Sequence, residues 1–451
     1  MNQAPTSDML RQAVAAHEAG RLAEARAGYD LVLTREPEHG WAHYFRAVLA
    51  EAEGDATLAL DHLRRAARGC DPPAQALVAL GNRELANRQA RAALTTFEAA
   101  TRLRPRFAAA FTGCALALKR LGRLADAMEA GRRALELRRG WQPGASSPPG
   151  HLDPAEVTEM RRANRVKLAH DAAQLGYLVA HGAAIPEAER ITSGYERLLG
   201  ELRVLPHDTT VVTLDDGALA TTLHAYNRLL HLPSTSVAIA GPLSACAGFA
   251  AADRQFEECQ PLPVIIDNVL SPAALVDLQR FTREATIWFE VKDHGGHLGA
   301  YFEEGLACDL LIAIAEALRQ VLPRSLEGLG LAQLWAYKHL QGGSGTDLHA
   351  DMGTVSANLW ITPDDASLDP EAGGMEIWPV RMPEGRDFRQ ANVERDGIRA
   401  LLAGKGDPIV VPHRCNRLVL FEANLFHRTS PGGFKPGYEN RRVNITFLYD
   451  R

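Results

Sequence analysis

No stretch of this chain is apolar enough for long enough to cross a membrane. The longest greasy run, Val237 to Ala251, is broken by Gly241, Pro242 and Gly248, and it falls short of the ~20 residues a spanning helix needs. The opening residues, Met1-Asn2-Gln3-Ala4-Pro5, have neither a basic start nor an apolar segment, so no secretory signal is expected. Cysteine is sparse: Cys70, Cys114, Cys246, Cys259, Cys308 and Cys415 lie scattered, with no C-x-x-C spacing. That argues against a disulfide framework or a cysteine zinc site and points to reduced thiols in a cytoplasmic protein. A large excess of one charge is also missing. A net charge of -6 gives no electrostatic reason to expect nucleic acid as partner.

What is present is an ordinary globular composition, 46% hydrophobic and 23% charged, spread over 451 residues. A chain of that length is too long for one core, so two or three domains are expected.

The first 140 residues lack strand signals and carry a period of 34. Ala25, Ala59, Ala93 and Ala127 fall one period apart, as do Tyr29, Leu63, Phe97 and Gly131. Val32, Ala66, Ala100 and Ala134 make a third series, and Ala13, Ala47, Gly81 and Ala115 a fourth. Gly20, Gly54 and Gly122 occupy the turn between paired helices, with Arg88 the exception; Pro37 and Pro105 close their repeats. Small residues at fixed offsets let two helices approach, and the larger ones fill the gap to the next pair. This pattern resembles the tetratricopeptide repeat, in about four copies within a domain over residues 1–140. The resemblance implies an α-solenoid with a concave surface for a peptide or protein partner.

Residues 141–260 read as a linker and helical spacer. The run GWQPGASSPPG from Gly140 to Gly150 is a linker by composition. Asp153-Pro154 opens a helix that continues through Leu168, Ala172, Leu175 and Leu178, and a second helix ends near Leu202. His151-Leu152-Asp153 spells H-x-D, but it sits in a linker and a helix cap, where no strand would aim both side chains one way.

From residue 261 the pattern becomes that of short strands separated by turns, beginning with Pro263 to Asp267. Helices are expected after Ser271-Pro272 and from Cys308 to Val321. Further strands are expected at Gln333 to His339, Thr354 to Ile361, Met375 to Pro379, Arg417 to Glu422 and Arg442 to Tyr449. This predicts an antiparallel sandwich or jelly roll supported by helices.

Within it, His349 and Asp351 stand two apart, so at a strand end both point to one face. His427 follows the strand Leu418 to Phe421 and could complete the set. Two histidines and one carboxylate suit Fe(II) and leave coordination positions open, whereas a closed zinc site would want a fourth protein ligand. On the last strand Arg442, Asn444 and Thr446 share one face, and Arg442 there can pair with a carboxylate in preference to Arg441. His294-Gly-Gly-His297 reads as a loop, and His339 and His413 as packing or surface residues. The basic clusters on the repeat helices read as solvated faces.

Taken together, His349-x-Asp351, His427, the Arg442-x-Asn444-x-Thr446 strand and Gly373-Gly374-Met375-Glu376-Ile377 resemble the Fe(II)/2-oxoglutarate-dependent dioxygenases, in particular their prolyl-4-hydroxylase-like branch, over residues 262–451. The resemblance implies a double-stranded β-helix of cupin type, with His349, Asp351 and His427 as metal ligands. It implies 2-oxoglutarate as co-substrate beside O2, anchored by Arg442 with Asn444, Tyr337 and Asn358 as further contacts, and it admits ascorbate as an accessory. The arginine's offset of fifteen from His427 and the long Asp364 to Pro412 insertion depart from the usual pattern. The expected function is hydroxylation of a peptide or protein recruited by the repeats. The same chemistry on a small molecule, or a repeat scaffold without catalysis, are the alternatives.

Overall fold

The computed structural model describes residues 5–71, 73–145, 152, 154–236, 241–293, 296–339, 345–383, 385 and 394–451. It consists of two compact units, Met1–Leu137 and Arg138–Arg451.

The first unit is made of helix pairs: α1 (Thr6–Glu18) with α2 (Leu22–Arg35), α3 (Gly40–Ala52) with α4 (Ala56–Gly69), and α5 (Ala74–Ala86) with α6 (Ala90–Leu103). Then come α7 (Ala108–Arg120) and α8 (Leu124–Arg139). The positions repeated every 34 residues are the ones that go inside. Ala25, Ala59, Ala93 and Ala127 are fully covered, as are Tyr29 and Phe97. The alanines let the helices close up, and covering each large side chain contributes roughly 1.5–3 kcal/mol.

Each hairpin turn is closed by the same two backbone hydrogen bonds. The Gly20 N–H donates to His17 O and the Arg21 N–H to Ala16 O; Gly54 and Asp55, Arg88 and Gln89, and Gly122 and Arg123 repeat the arrangement. Such a closure needs a left-handed residue. Gly20, Gly54 and Gly122 stand at φ 73°, 80° and 73°, and Arg88, the exception in sequence, is held at φ 59°. Closing the turn therefore outweighs the ~1–2 kcal/mol that a side chain costs in this conformation.

The second unit opens with α9 (Pro154–Met160), α10 (Arg165–Ala180), α11 (Ala188–Glu201), α12 (Asp216–Thr221) and α13 (Phe249–Glu258), and β1 (Arg162–Ala163) pairs with β2 (Val212–Thr213). The continuous helix expected from Asp153 to Leu178 is interrupted. β1 intervenes, and Asn164 starts α10 afresh by accepting from the Lys167 N–H at 2.8 Å. His151 and Asp153 lie outside the described residues, as do residues 146–150 of the expected Gly/Pro linker. Trp141 packs on a core that includes Leu168, Leu175, Tyr195 and Tyr226. Residues 141–260, set out from the sequence as linker and spacer, thus lie within the second unit.

The remainder is β-rich. In order come β3 (Val264–Asp267), α14 (Pro272–Glu284), β4 (Glu290–Val291), β5 (His297–Tyr301), α15 (Asp309–Val321), β6 (Gly330–His339) and β7 (Val355–Trp360). They are followed by β8 (Met375–Arg381), β9 (Ile409–Val411), β10 (Arg417–Glu422), β11 (Leu425–Thr429) and β12 (Val443–Asp450). Seven strands form one antiparallel sheet in the order β3-β10-β7-β12-β6-β5-β4, and β11-β8-β9 form a second. Trp360, Val419 and Phe421 of the large sheet share a core with Met375, Ile377, Val411 and Leu425 of the small one. α10 docks on α14, where the Gln174 amide donates to Arg283 O and Ala285 O at 3.0 and 2.9 Å.

One expectation changes here. His297 is not in a loop: it begins β5, opposite His339, and is buried, while His294 lies outside the described residues. The Asp364 to Pro412 insertion supplies β8, β9 and the helix Arg395–Leu402.

Arg88→Gly should stabilise the repeats by about 0.5–1 kcal/mol, because glycine occupies the left-handed turn without a Cβ penalty. Urea unfolding of the full chain followed by helical circular dichroism checks this; an unchanged or lower midpoint would refute it.

Candidate metal centre

The centre is built where two strand ends meet. The His349 N–H donates to His427 O at 3.0 Å and the His427 N–H returns the bond to His349 O at 2.8 Å. A pair that exchanges both backbone bonds stands directly opposite, with both side chains on one face. Two residues on, the Asp351 N–H donates to Ala423 O at 2.9 Å. This brings the Asp351 carboxylate between the imidazoles, 3.7 Å from His349 Nε2 and 3.7 Å from His427 Nε2.

Each imidazole is turned by its other nitrogen. His349 Nδ1 lies 2.6 Å from Asp347 O, and His427 Nδ1 lies 2.8 Å from Leu425 O. A backbone carbonyl only accepts, so each Nδ1 carries a proton and each Nε2 is turned toward the carboxylate. One donor atom from each of the three residues lies within 4.8 Å of the others. The three could therefore hold one metal ion between them.

The electrostatics ask for a cation. Burial raises the Asp351 carboxyl above its ordinary range, and His349 and the Ser356 hydroxyl at 3.4 Å only partly offset it. Burial and the neighbouring His349 hold His427 well below its ordinary value, so it stays neutral. A buried carboxylate with so little positive charge about it is under-compensated, the condition that a bound cation relieves.

Arg442 lines the same cavity, as do Tyr337, Asn358, Asn444 and Thr446. The register explains the company: β12 lies between β6 and β7, with Asn444 opposite Tyr337 and Thr446 opposite Asn358. The Arg442 guanidinium is buried, and among the described residues no carboxylate pairs with it. Burial lowers its pKa to about 9. Its donors go to neutral acceptors: Nε to Gly373 O at 2.7 Å, Nη2 to Gly374 O at 3.1 Å, and Nη1 to His339 Nε2 at 2.7 Å and Asn444 Oδ1 at 3.1 Å. Gly374 is required for this roof, because a Cβ there would stand 1.9 Å from Val411 O. Arg441 goes elsewhere, its guanidinium 5.2 Å from the Tyr438 ring centre.

Two details differ from expectation. Four of the five guanidinium hydrogens are engaged, so the bidentate clasp of a carboxylate expected of Arg442 is not preformed. The cavity at the triad is also small, ≈ 20 Å³, about enough for one water. His339, expected to pack or face solvent, is the residue that sequence reasoning missed. A guanidinium only donates, so His339 Nε2 must be unprotonated; burial and the Arg442 charge keep its pKa well below the ordinary range. The signal was available in strand alternation, since His339 follows Tyr337 by two on β6. His413 is buried too, stacked 5.7 Å from Trp360.

The family model for the tetratricopeptide repeat matches residues 10–74 and 78–142. The N-terminal region carries tetratricopeptide repeats. Among solved structures, the chain is similar to YrrB, described as a TPR protein with an unusual peptide-binding site, at 20% identity over 31% of this chain and 69% of that one, with a TM-score of 0.27. It is also similar to a MamA RS-1 double mutant, at 20% identity over 29% and 74%, with a TM-score of 0.27. A crystal structure of MamA protein matches at 16% identity over 45% and 97%, with a TM-score of 0.29. Likenesses of this size carry no argument about function. No curated protein matches the chain. No helix among the described residues is long and apolar enough to cross a membrane.

Asp351→Asn should separate the metal's role from the fold's. Without metal the variant should unfold at a higher temperature at neutral pH, because it removes a carboxylate whose pKa burial has raised. Wild type should gain about 2.7 kcal/mol from Mn(II) at one hundred times its Kd, and the variant nothing. Thermal unfolding with and without Mn(II) tests both; equal gains in the two proteins would refute the site.

Proposed function

We propose that the second unit is an Fe(II)- and 2-oxoglutarate-dependent dioxygenase, a double-stranded β-helix that hydroxylates a peptide or protein recruited by the repeats. One observation carries this: His349, Asp351 and His427 line the same buried cavity as an arginine that has no carboxylate partner among the described residues. A packed core would seldom keep that polar set, since unpaired buried charge is costly.

The donor set fits ferrous iron, with two imidazoles and one carboxylate on one face. When bound, the metal supplies activation of O2, and 2-oxoglutarate is oxidised to succinate and carbon dioxide as a substrate C–H becomes C–OH. The chain's own residues do the rest. Asp347 O and Leu425 O orient the two histidines. Arg442 supplies the positive charge for the far carboxylate of the co-substrate, and Tyr337, Asn358 and Asn444 line its place. Asn358 Oδ1 is buried without a hydrogen-bond partner among the described residues, an acceptor within that space. Because the cavity is small and Arg442 is held by His339 and Asn444, the co-substrate must exchange these contacts for its own carboxylate. The charge it gains is worth more than either neutral acceptor. The repeats supply the recruiting surface that such arrays commonly offer to peptides.

Anaerobic titration of the metal-free chain with Fe(II) and 2-oxoglutarate tests the proposal through the visible charge-transfer band of the chelate. Wild type should show the band and His349→Ala should not. Arg442→Ala should need roughly 10- to 100-fold more 2-oxoglutarate, the cost of losing a charged hydrogen-bond donor. A folded, iron-loaded wild type without the band would overturn it.

A further inference from the structure

Beside the metal cavity lies a second, larger one of ≈ 210 Å³. Thr346 and Thr429 line both, so the two spaces share a wall. That wall is a tight one: Thr346 N–H donates to Thr429 Oγ1 at 3.0 Å, and the two hydroxyls are 2.8 Å apart. Around the larger cavity stand three arginines: Arg395 and Arg399 on the helix Arg395–Leu402, and Arg428, the residue after the ligand His427. The helix is held in place by Ile398 and Leu402, which pack against Ala350 and Phe426.

Local acids answer part of this charge. Asp347 pairs with Arg395 through Nη2, and Glu376 takes Arg428 at 2.7 Å through Nε and Nη2. Among the described residues Arg399 has only Asp396 at 3.7 Å, and that carboxylate is fully exposed. Among those residues the lining therefore keeps one guanidinium without a close partner. The outward N–H groups of the other two add donors with no acceptor given to them by their acids. A planar fork of donors of this kind matches a carboxylate. Asp347 also ties the two cavities together, since its carboxylate meets Arg395 while its carbonyl orients the ligand His349.

We infer that the substrate is an acidic peptide, seated with a glutamate or aspartate side chain among Arg395, Arg399 and Arg428, in the cavity that shares a wall with the metal cavity. This rests on the dioxygenase reading for what happens at the metal, but the binding itself needs no metal. Arg399 is the specificity-determining residue, being the one whose charge is least answered; its side chain is 72% exposed, so replacing it leaves the core intact.

The test is fluorescence anisotropy of the metal-free full chain with two labelled degenerate heptapeptide pools, one carrying two glutamates at fixed positions and the other glutamines there. Wild type should bind the glutamate pool more tightly, and Arg399→Glu should weaken that binding roughly fivefold or more while leaving the glutamine pool unchanged. Equal binding of both pools by wild type overturns the inference. So does a glutamate preference that survives in Arg399→Glu, which would belong to another part of the chain. Displacement of the pool by free glutarate at the concentration where unlabelled peptide displaces it would identify a free dicarboxylate as occupant and overturn the peptide assignment. The iron and 2-oxoglutarate titration on the same preparation keeps the two claims apart. A charge-transfer band without glutamate preference sinks this inference alone; a preference without the band upholds the carboxylate cavity and sinks only the dioxygenase.

Discussion

Two opposite charges are buried between the sheets of the second unit, and they do not meet. Asp351 sits between two imidazoles, and Arg442 sits under the carbonyls of Gly373 and Gly374. Each is partly satisfied by its neighbours, and among the described residues neither has an oppositely charged side chain of the other kind beside it. In a dry interior that leaves free energy to be gained by a cation at one end and an anion at the other. Much of the surrounding construction serves to keep both charges in place and apart.

The carboxylate end is set by backbone. His349 and His427 exchange N–H bonds across two strands, and carbonyls two residues before each histidine fix the ring orientation. Such contacts survive most side-chain substitutions, which makes the ligand face rigid. The arginine end is set by close packing: a glycine roof with no room for a Cβ, and a histidine that must be neutral to accept from the guanidinium. That end can change partners, since its acceptors are weaker than a carboxylate would be. A rigid three-residue face beside an exchangeable anchor is the arrangement that the proposed dioxygenase reaction would use.

The repeats follow a simpler rule. Their register is carried by small residues where helices touch and by one turn geometry used four times over, so strictly that Arg88 adopts a glycine's backbone. The turn and the covered alanines are local, which is why the array is visible in sequence and found by a family model over residues 10–142.

What the sequence determined by itself was therefore whatever depends on short range. The helix pairs follow from a 34-residue period. The alternation of Arg442, Asn444 and Thr446 puts them on one face, and the two-residue spacing of His349 and Asp351 does the same at a strand end. Only the tertiary structure decided which distant residues share a space. His339 reaches Arg442 because β6 and β12 are neighbours, and their pairing joins residues about a hundred positions apart. β5 and β9 are short and pass for loop in sequence; pairing with β6 and β8 makes them strands. The break before α10 and the engagement of Arg442's donors likewise follow from partners far along the chain. Periodicity reports which way a side chain points, and only packing reports what it meets.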